Sequence, residues 1–221
     1  MTKTQKLKKF LFNKWTISVT LLKIASLAVT IPLFLKFRES SDHFEKLDKA
    51  RAIYTQMLSF NRDYETLPSL EAVEIDDELA GFDLTSSNGY FGQLIAATNM
   101  TTEAPFFLEG SCACTATPPD NIVAPRSETL KAGENGWAYF KGRKIDSQSA
   151  PQPLLVPGWN PATKQWDDAL WSEGIPVLST DGAITLYKAQ RNDSSSQNIM
   201  TKSDLPFAQN DLDLIQPSHP N

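Results

Sequence analysis

From Trp15 to Leu35 the chain is apolar apart from a few Thr and Ser positions and a single charge, Lys23, and the leader before it carries Lys3, Lys6, Lys8, Lys9 and Lys14. As a helix rising ~1.5 Å per residue, such a stretch crosses a hydrocarbon core of about 30 Å. The pattern predicts a basic leader over 1–14 and a transmembrane helix over 15–35. A cleaved signal peptide competes with that reading. It lacks a cleavage site: after Leu35 come Lys36, Phe37, Arg38 and Glu39, and the one small-x-small triplet, Ser26-Leu27-Ala28, lies inside the apolar run. A buried soluble helix would need a polar face, and here mainly Thr and Ser interrupt the aliphatic positions. Lys23 costs ~2.5–3.5 kcal/mol near mid-span, which the surrounding Leu, Ile, Val and Phe offset and snorkelling or a partner helix relieves.

Past the stretch the period changes but stays helical. Phe44, Leu47, Ala50, Tyr54, Met57 and Leu58 recur at spacings of three and four, with Glu45, Lys46, Lys49 and Arg51 on the polar side. Asp42 and Glu45 have the spacing of a capping box, and Pro68 marks the end. Tyr90–Met100 reads as a short amphipathic helix and Ala104–Leu108 as the entry to a strand. Strands follow at Gly136–Phe140, Pro153–Val156 and Ile175–Ser179, and Asp181-Gly182 turns the last of these into a hairpin with Ala183–Tyr187. Residues 192–221, rich in Ser, Asn, Asp, Gln and Pro, read as a flexible polar tail. The sum is an α+β chain: one long N-terminal helix, transmembrane then soluble, packed on a small antiparallel β-sheet within an extracytoplasmic domain over 36–191. No repeat or heptad pattern intervenes.

Charge orients the chain. Residues 1–38 hold eight basic residues and no acid, leaving 13 basic and 26 acidic residues beyond, a net of −13. Basic flanks stay on the cytoplasmic side, so the expectation is a single-pass protein of the inner membrane, N-terminus cytoplasmic and acidic bulk outside. An acidic domain of this kind is a poor partner for nucleic acid, and that function is excluded on charge.

Candidate chemistry is sparse. Cys112 and Cys114 form a C-x-C pair that an oxidising compartment could close as a small strained disulfide; metal binding there would need two more ligands, and the histidines are His43 and His219. The acids Glu71, Glu74, Asp76, Asp77, Glu78 and Asp83 could offer oxygens to calcium, yet no D-x-D-x-D-G loop is present and they read as solvated. No cofactor is expected. Neither histidine is placed to serve a Ser-His-Asp triad, and no G-x-S-x-G, phosphate loop, dinucleotide fingerprint or H-E-x-x-H occurs. Asp167, Asp168 and Glu173 lie near Trp159, Trp166 and Trp171, which keeps paired-carboxylate glycoside hydrolysis as a distant alternative. The expectation is a non-enzyme. Those three tryptophans, with Trp137, are either core residues of a sheet or, if exposed, faces for stacking on sugar rings.

At this point the chain resembles the pseudopilins of bacterial type II secretion and the wider type IV pilin-like proteins. The resemblance rests on the basic leader and apolar helix, on Lys49-Ala50-Arg51-Ala52-Ile53-Tyr54 continuing through Phe60-Asn61-Arg62-Asp63-Tyr64-Glu65-Thr66-Leu67-Pro68-Ser69, and on the closing Val177-Leu178-Ser179-Thr180-Asp181-Gly182. The block Ser87–Ala97 is similar to a segment of pilin-like proteins as well. The processing motif departs from the family pattern Gly-Phe-Thr-Leu-(Ile/Val)-Glu: Lys14 stands for the Gly and Val19 for the Glu around Trp15-Thr16-Ile17. The resemblance implies a pilin-like fold with a degenerate processing motif. It also implies a structural or interaction role in the cell envelope, linked to type II secretion, with other envelope or pilin-like proteins as partners through the helix and sheet edge. The alternative is a membrane-tethered domain binding carbohydrate or cell-wall material.

Overall fold

A computed structural model describes residues 30–31, 42–98, 100–114, 119–125, 128–146, 148–160, 166, 170–171, 174–188 and 213–219. The chain divides into two compact units, Met1–Glu45 and Lys46–Asn221. In the first, residues 30–31 and 42–45 are helical, and the His43 and Phe44 rings meet edge-on at 6.2 Å. Among the described residues no helix is long and apolar enough to cross a membrane; all of 15–35 except Thr30 and Ile31 lies outside them, as does the leader over 1–14.

The first long helix, α1, runs over 42–64. Within the second unit its buried stripe is Leu47, Ala50, Ile53, Met57 and Phe60, flanked by half-buried Tyr54 and Tyr64. This corrects the expected phase: Leu58 is 41 % and Phe44 59 % exposed, while Ile53 and Phe60 are fully buried. Ile53 and Phe60 stand seven residues apart, two helical turns, with Met57 between them, so they continue one face; Leu58 points about 100° away from Met57. The helix ends ahead of Pro68. Glu65 takes a left-handed conformation at φ 56°, and its N–H donates to the Asn61 carbonyl at 2.8 Å.

Two short helical pieces follow. The helix α2 (Leu70–Ile75) is capped by Ser69, whose hydroxyl accepts the Ala72 N–H at 3.3 Å. A 3₁₀ turn spans Asp77–Leu79, capped by Asp76. The next helix, α3 (Ser87–Ala97), begins and ends three residues before the expected Tyr90–Met100 segment. It is buried on almost every side rather than amphipathic, with Ser87 through Ile95 all enclosed. Gly89 and Gly92 make that burial possible. A Cβ on Gly89 would lie 1.9 Å from the Asp83 carbonyl oxygen, and one on Gly92 would lie 2.5 Å from the Phe82 ring.

Among the described residues the sheet has five strands, all paired antiparallel: β1 (Trp137–Phe140), β2 (Pro153–Pro157), β3 (Ile175–Ser179), β4 (Ile184–Tyr187) and β5 (Leu214–Ile215), in spatial order β4-β3-β2-β1-β5. The β3–β4 turn matches the Asp-Gly signal: Gly182 has φ 82°, its N–H donates to the Ser179 carbonyl, and the Asp181 carboxylate accepts the Ala183 N–H. The fold is therefore α+β around an antiparallel sheet. Ala50, Ile53, Met57 and Phe60 of α1, Phe91 and Leu94 of α3, and Trp137, Tyr139, Leu155 and Val177 of the sheet belong to one core.

Two expectations are corrected here. Ala104–Leu108 forms turns rather than strand; its buried Phe106 and Leu108 anchor it while the Phe106 carbonyl accepts the Gly136 N–H at 2.9 Å. Of the expected tail, 192–212 and 220–221 lie outside the described residues, but 213–219 dock. Leu214 and Ile215 pair with Phe140 and Tyr139, and the backbone of Gln216 and Ser218 takes hydrogen bonds from the Ser87 and Gly133 N–H groups. Buried backbone donors need partners, and this segment supplies them.

Candidate functional site

The tryptophans are core residues. Trp159, Trp166 and Trp171 are 8 %, 3 % and 5 % exposed, and Trp137 is fully buried. Trp159 and Trp166 meet edge to face at 5.5 Å, the Trp166 indole N–H donates to the Pro157 carbonyl at 2.6 Å, and that of Trp137 donates to the Pro105 carbonyl at 3.1 Å. The Lys46 ammonium sits 5.1 Å from the Trp171 ring centroid and donates to the Leu170 carbonyl. No flat row of open ring faces results, so the stacking platform for sugar is corrected to a buried aromatic cluster. Asp167, Asp168 and Glu173 lie outside the described residues.

Of the two states open to the C-x-C pair, the structure holds Cys112 and Cys114 as thiols. Cys114 is buried, and its sulfur accepts the Leu108 N–H at 3.2 Å; burial pushes its pKa up to about 12, so it stays protonated. The Cys112 sulfur lies 4.0 Å from the Gly158 carbonyl oxygen. Each side chain thus faces its own contact, Cys114 as a small core residue.

The acidic loop behaves as solvated structure. Glu71, Glu74, Asp77, Glu78 and Asp83 are exposed, and half-buried Asp76 is occupied in accepting the Glu78 N–H and the Tyr64 hydroxyl. The acids that do gather come from elsewhere. A carboxylate oxygen from each of Glu103, Asp120 and Glu134 lies within 4.8 Å of the others. All three sit on irregular segments between α3 and β1, and no spacing in the sequence signals them.

Local hydrogen bonds hold each member. Glu103 is fully buried; its Oε1 accepts the Leu130 N–H at 2.7 Å, while Oε2 is buried without a hydrogen-bond partner. Glu134, 4 % exposed, accepts the Lys131 N–H at 2.6 Å through Oε2 and the Asp120 N–H at 3.3 Å through Oε1. Asp120 lies at the exposed rim, where Oδ1 accepts the Ile122 N–H and Oδ2 the Lys131 ammonium, both at 2.9 Å. Asn121 steadies the Glu103 backbone by accepting its N–H at 3.0 Å.

The electrostatics follow from burial. Loss of water, reinforced by Glu134 and Asp120 and opposed by the Leu130 hydrogen bond and the nearby Asn121 backbone N–H, lifts the pKa of the Glu103 carboxyl to about 7. Asp120 is held below its ordinary range chiefly by the Lys131 hydrogen bond. Lys131, which also pairs with Glu128, has its own pKa raised by those two contacts. One ammonium thus pairs with two carboxylates at the exposed side of the group, Asp120 and Glu128. Against family models, characterised proteins and solved structures alike, the chain has no match.

Proposed function

We propose that this protein is a membrane-anchored, pilin-like structural or interaction component of the bacterial cell envelope, without a catalytic centre. Residues 15–35 form its anchor, the N-terminus stays cytoplasmic, and the domain that follows works outside, by contact with other envelope or pilin-like proteins. The observation that carries this reading is the order of parts. A basic leader and apolar stretch precede a helix with one buried stripe, and an antiparallel sheet with an Asp-Gly hairpin follows. Two surfaces suit such contacts. The outer face of α1 exposes Leu58, and β4, paired on one side only among the described strands, exposes Thr185 and Leu186. Burial of Trp159, Trp166 and Trp171 argues against the sugar-binding alternative.

A photo-crosslinking side chain placed at Leu58 or Leu186 in cells tests the reading. Defined adducts with envelope proteins are expected at one or both positions. Absence of adducts at both, with the protein folded and membrane-bound, would contradict it.

A further inference from the structure

Three carboxylates gathered in one place are not in themselves a binding site, because acids cluster on many surfaces. What distinguishes this group is Glu103. Its side chain is fully buried, one oxygen is satisfied by the Leu130 N–H, and the other has neither hydrogen-bond partner nor access to water. A buried polar atom without a partner costs roughly 1–3 kcal/mol, more when charged; Oε1 serves the Leu130 N–H, but no hydrogen bond within the described residues accounts for Oε2. Beside it stand Glu134, almost as buried, and Asp120, which opens to solvent.

We propose that Glu103, Asp120 and Glu134 form a divalent cation site, and that the cation is calcium. The donor set decides the class. All three ligands are carboxylate oxygens with no His or Cys among them, a set suited to hard cations and not to zinc or copper. Between the hard cations, the setting favours calcium. The ligands come from three irregular segments rather than one rigid element, and calcium accepts variable geometry where magnesium demands a near-ideal octahedron. Asp120 at the rim gives an entry from solvent. The Lys131 ammonium, now on Asp120 Oδ2, also holds Glu128 and can remain with it when Asp120 turns to the ion.

A bound cation would tie 100–108, 119–125 and 128–136 together. These segments lie between α3 and β1, and their described residues are turns, bends and irregular structure apart from 3₁₀ geometry at Glu128. The Lys131–Glu134 turn also packs on the C-terminal segment, since the Gly133 N–H donates to the Ser218 carbonyl at 3.3 Å. The site would therefore lock the loop layer over the sheet edge where β5 docks. This inference stands apart from membrane anchoring and partner contact and is tested separately.

The experiment titrates the full-length protein in detergent, stripped with chelator, with Ca²⁺ alone and with Mg²⁺ alone at matched ionic strength, following heat of binding and thermal midpoint. One saturable Ca²⁺ site with a raised midpoint is expected. Glu103→Gln keeps the side chain's shape and should abolish both effects. Asp120→Asn, at the exposed rim, should weaken binding while leaving the metal-free midpoint near the parent's, and it keeps the test decisive if the Glu103 variant fails to fold. No saturable heat from Ca²⁺, saturation by Mg²⁺ in preference to Ca²⁺, or Ca²⁺ binding unchanged in the variants would each overturn the proposal.

Discussion

The Tyr54 hydroxyl donates to the carbonyl of Thr180 at 2.8 Å, joining the middle of α1 to the β3–β4 turn across 126 residues of chain. The same ring bears on Gly182, where a Cβ would lie 2.7 Å from it and where φ is 82°. Helix and hairpin are fitted to one another at this point by a hydrogen bond and by the absence of a side chain. Tyr54→Phe, which removes only the bond, should lower stability by about 0.5–1.5 kcal/mol in denaturant unfolding. Gly182→Ala should cost more, because about 1–2 kcal/mol of left-handed strain adds to the clash with the ring.

The phase of the α1 stripe separates neighbouring residues. Phe60, fully buried, should lose about 3–5 kcal/mol on replacement by Ala, and Met57 about 2–5 kcal/mol. Leu58→Ala, at a position 41 % exposed, should stay within about 0.5 kcal/mol of the parent. Equal losses at Leu58 and Phe60 in equilibrium unfolding would show that the helix packs in the other phase.

Much of the sheet was legible because its strands are short apolar runs between turn signals, and the Asp-Gly hairpin is a local signal. The stripe was less so. Leu47, Ala50 and Met57 fit a face that includes either Leu58 or Ile53 and Phe60, and only packing against the sheet chooses between them. The strand β5 is two residues in a polar segment, and its pairing with β1 is non-local, so composition pointed the wrong way. The carboxylate group was invisible for a related reason: residues 103, 120 and 134 follow no motif, and irregular segments bring them together. Trp159, Trp166 and Trp171 fit both a core and a platform by sequence, because local spacing does not set burial.

Docking of the C-terminal segment gives a further expectation. Ending the chain at residue 212 removes β5, the acceptor of the buried Ser87 N–H, and the Lys141 N–H bond to the Asp213 carbonyl. A buried donor left without an acceptor costs roughly 1–3 kcal/mol, so the truncated protein should melt several degrees below the parent in a calorimetric scan. An unchanged midpoint would mean the segment contributes nothing to the folded state.

Stability should depend on pH through Glu103. Between pH 4.5 and about 7 its buried carboxyl keeps a proton that the unfolded chain has released, so unfolding releases that proton and rising pH favours the unfolded state. In chelator, the contribution is complete below pH 4.5 and is lost as pH climbs through about 7. Glu103→Gln cannot titrate and should flatten that part of the curve of thermal midpoint against pH. A curve of the same slope in parent and variant would place the dependence on another group.

Membrane topology bears most directly on the proposed role. Spheroplasts of cells making the full chain, treated with protease from outside and blotted with antibody to the C-terminal domain, should lose the domain signal. The membrane fraction should keep a short N-terminal fragment, and untreated membranes should yield the intact chain with its N-terminal leader by mass determination. A soluble extracytoplasmic product starting near residue 40, or a domain protected from protease until the cells are lysed, would contradict the anchored, outward-facing arrangement.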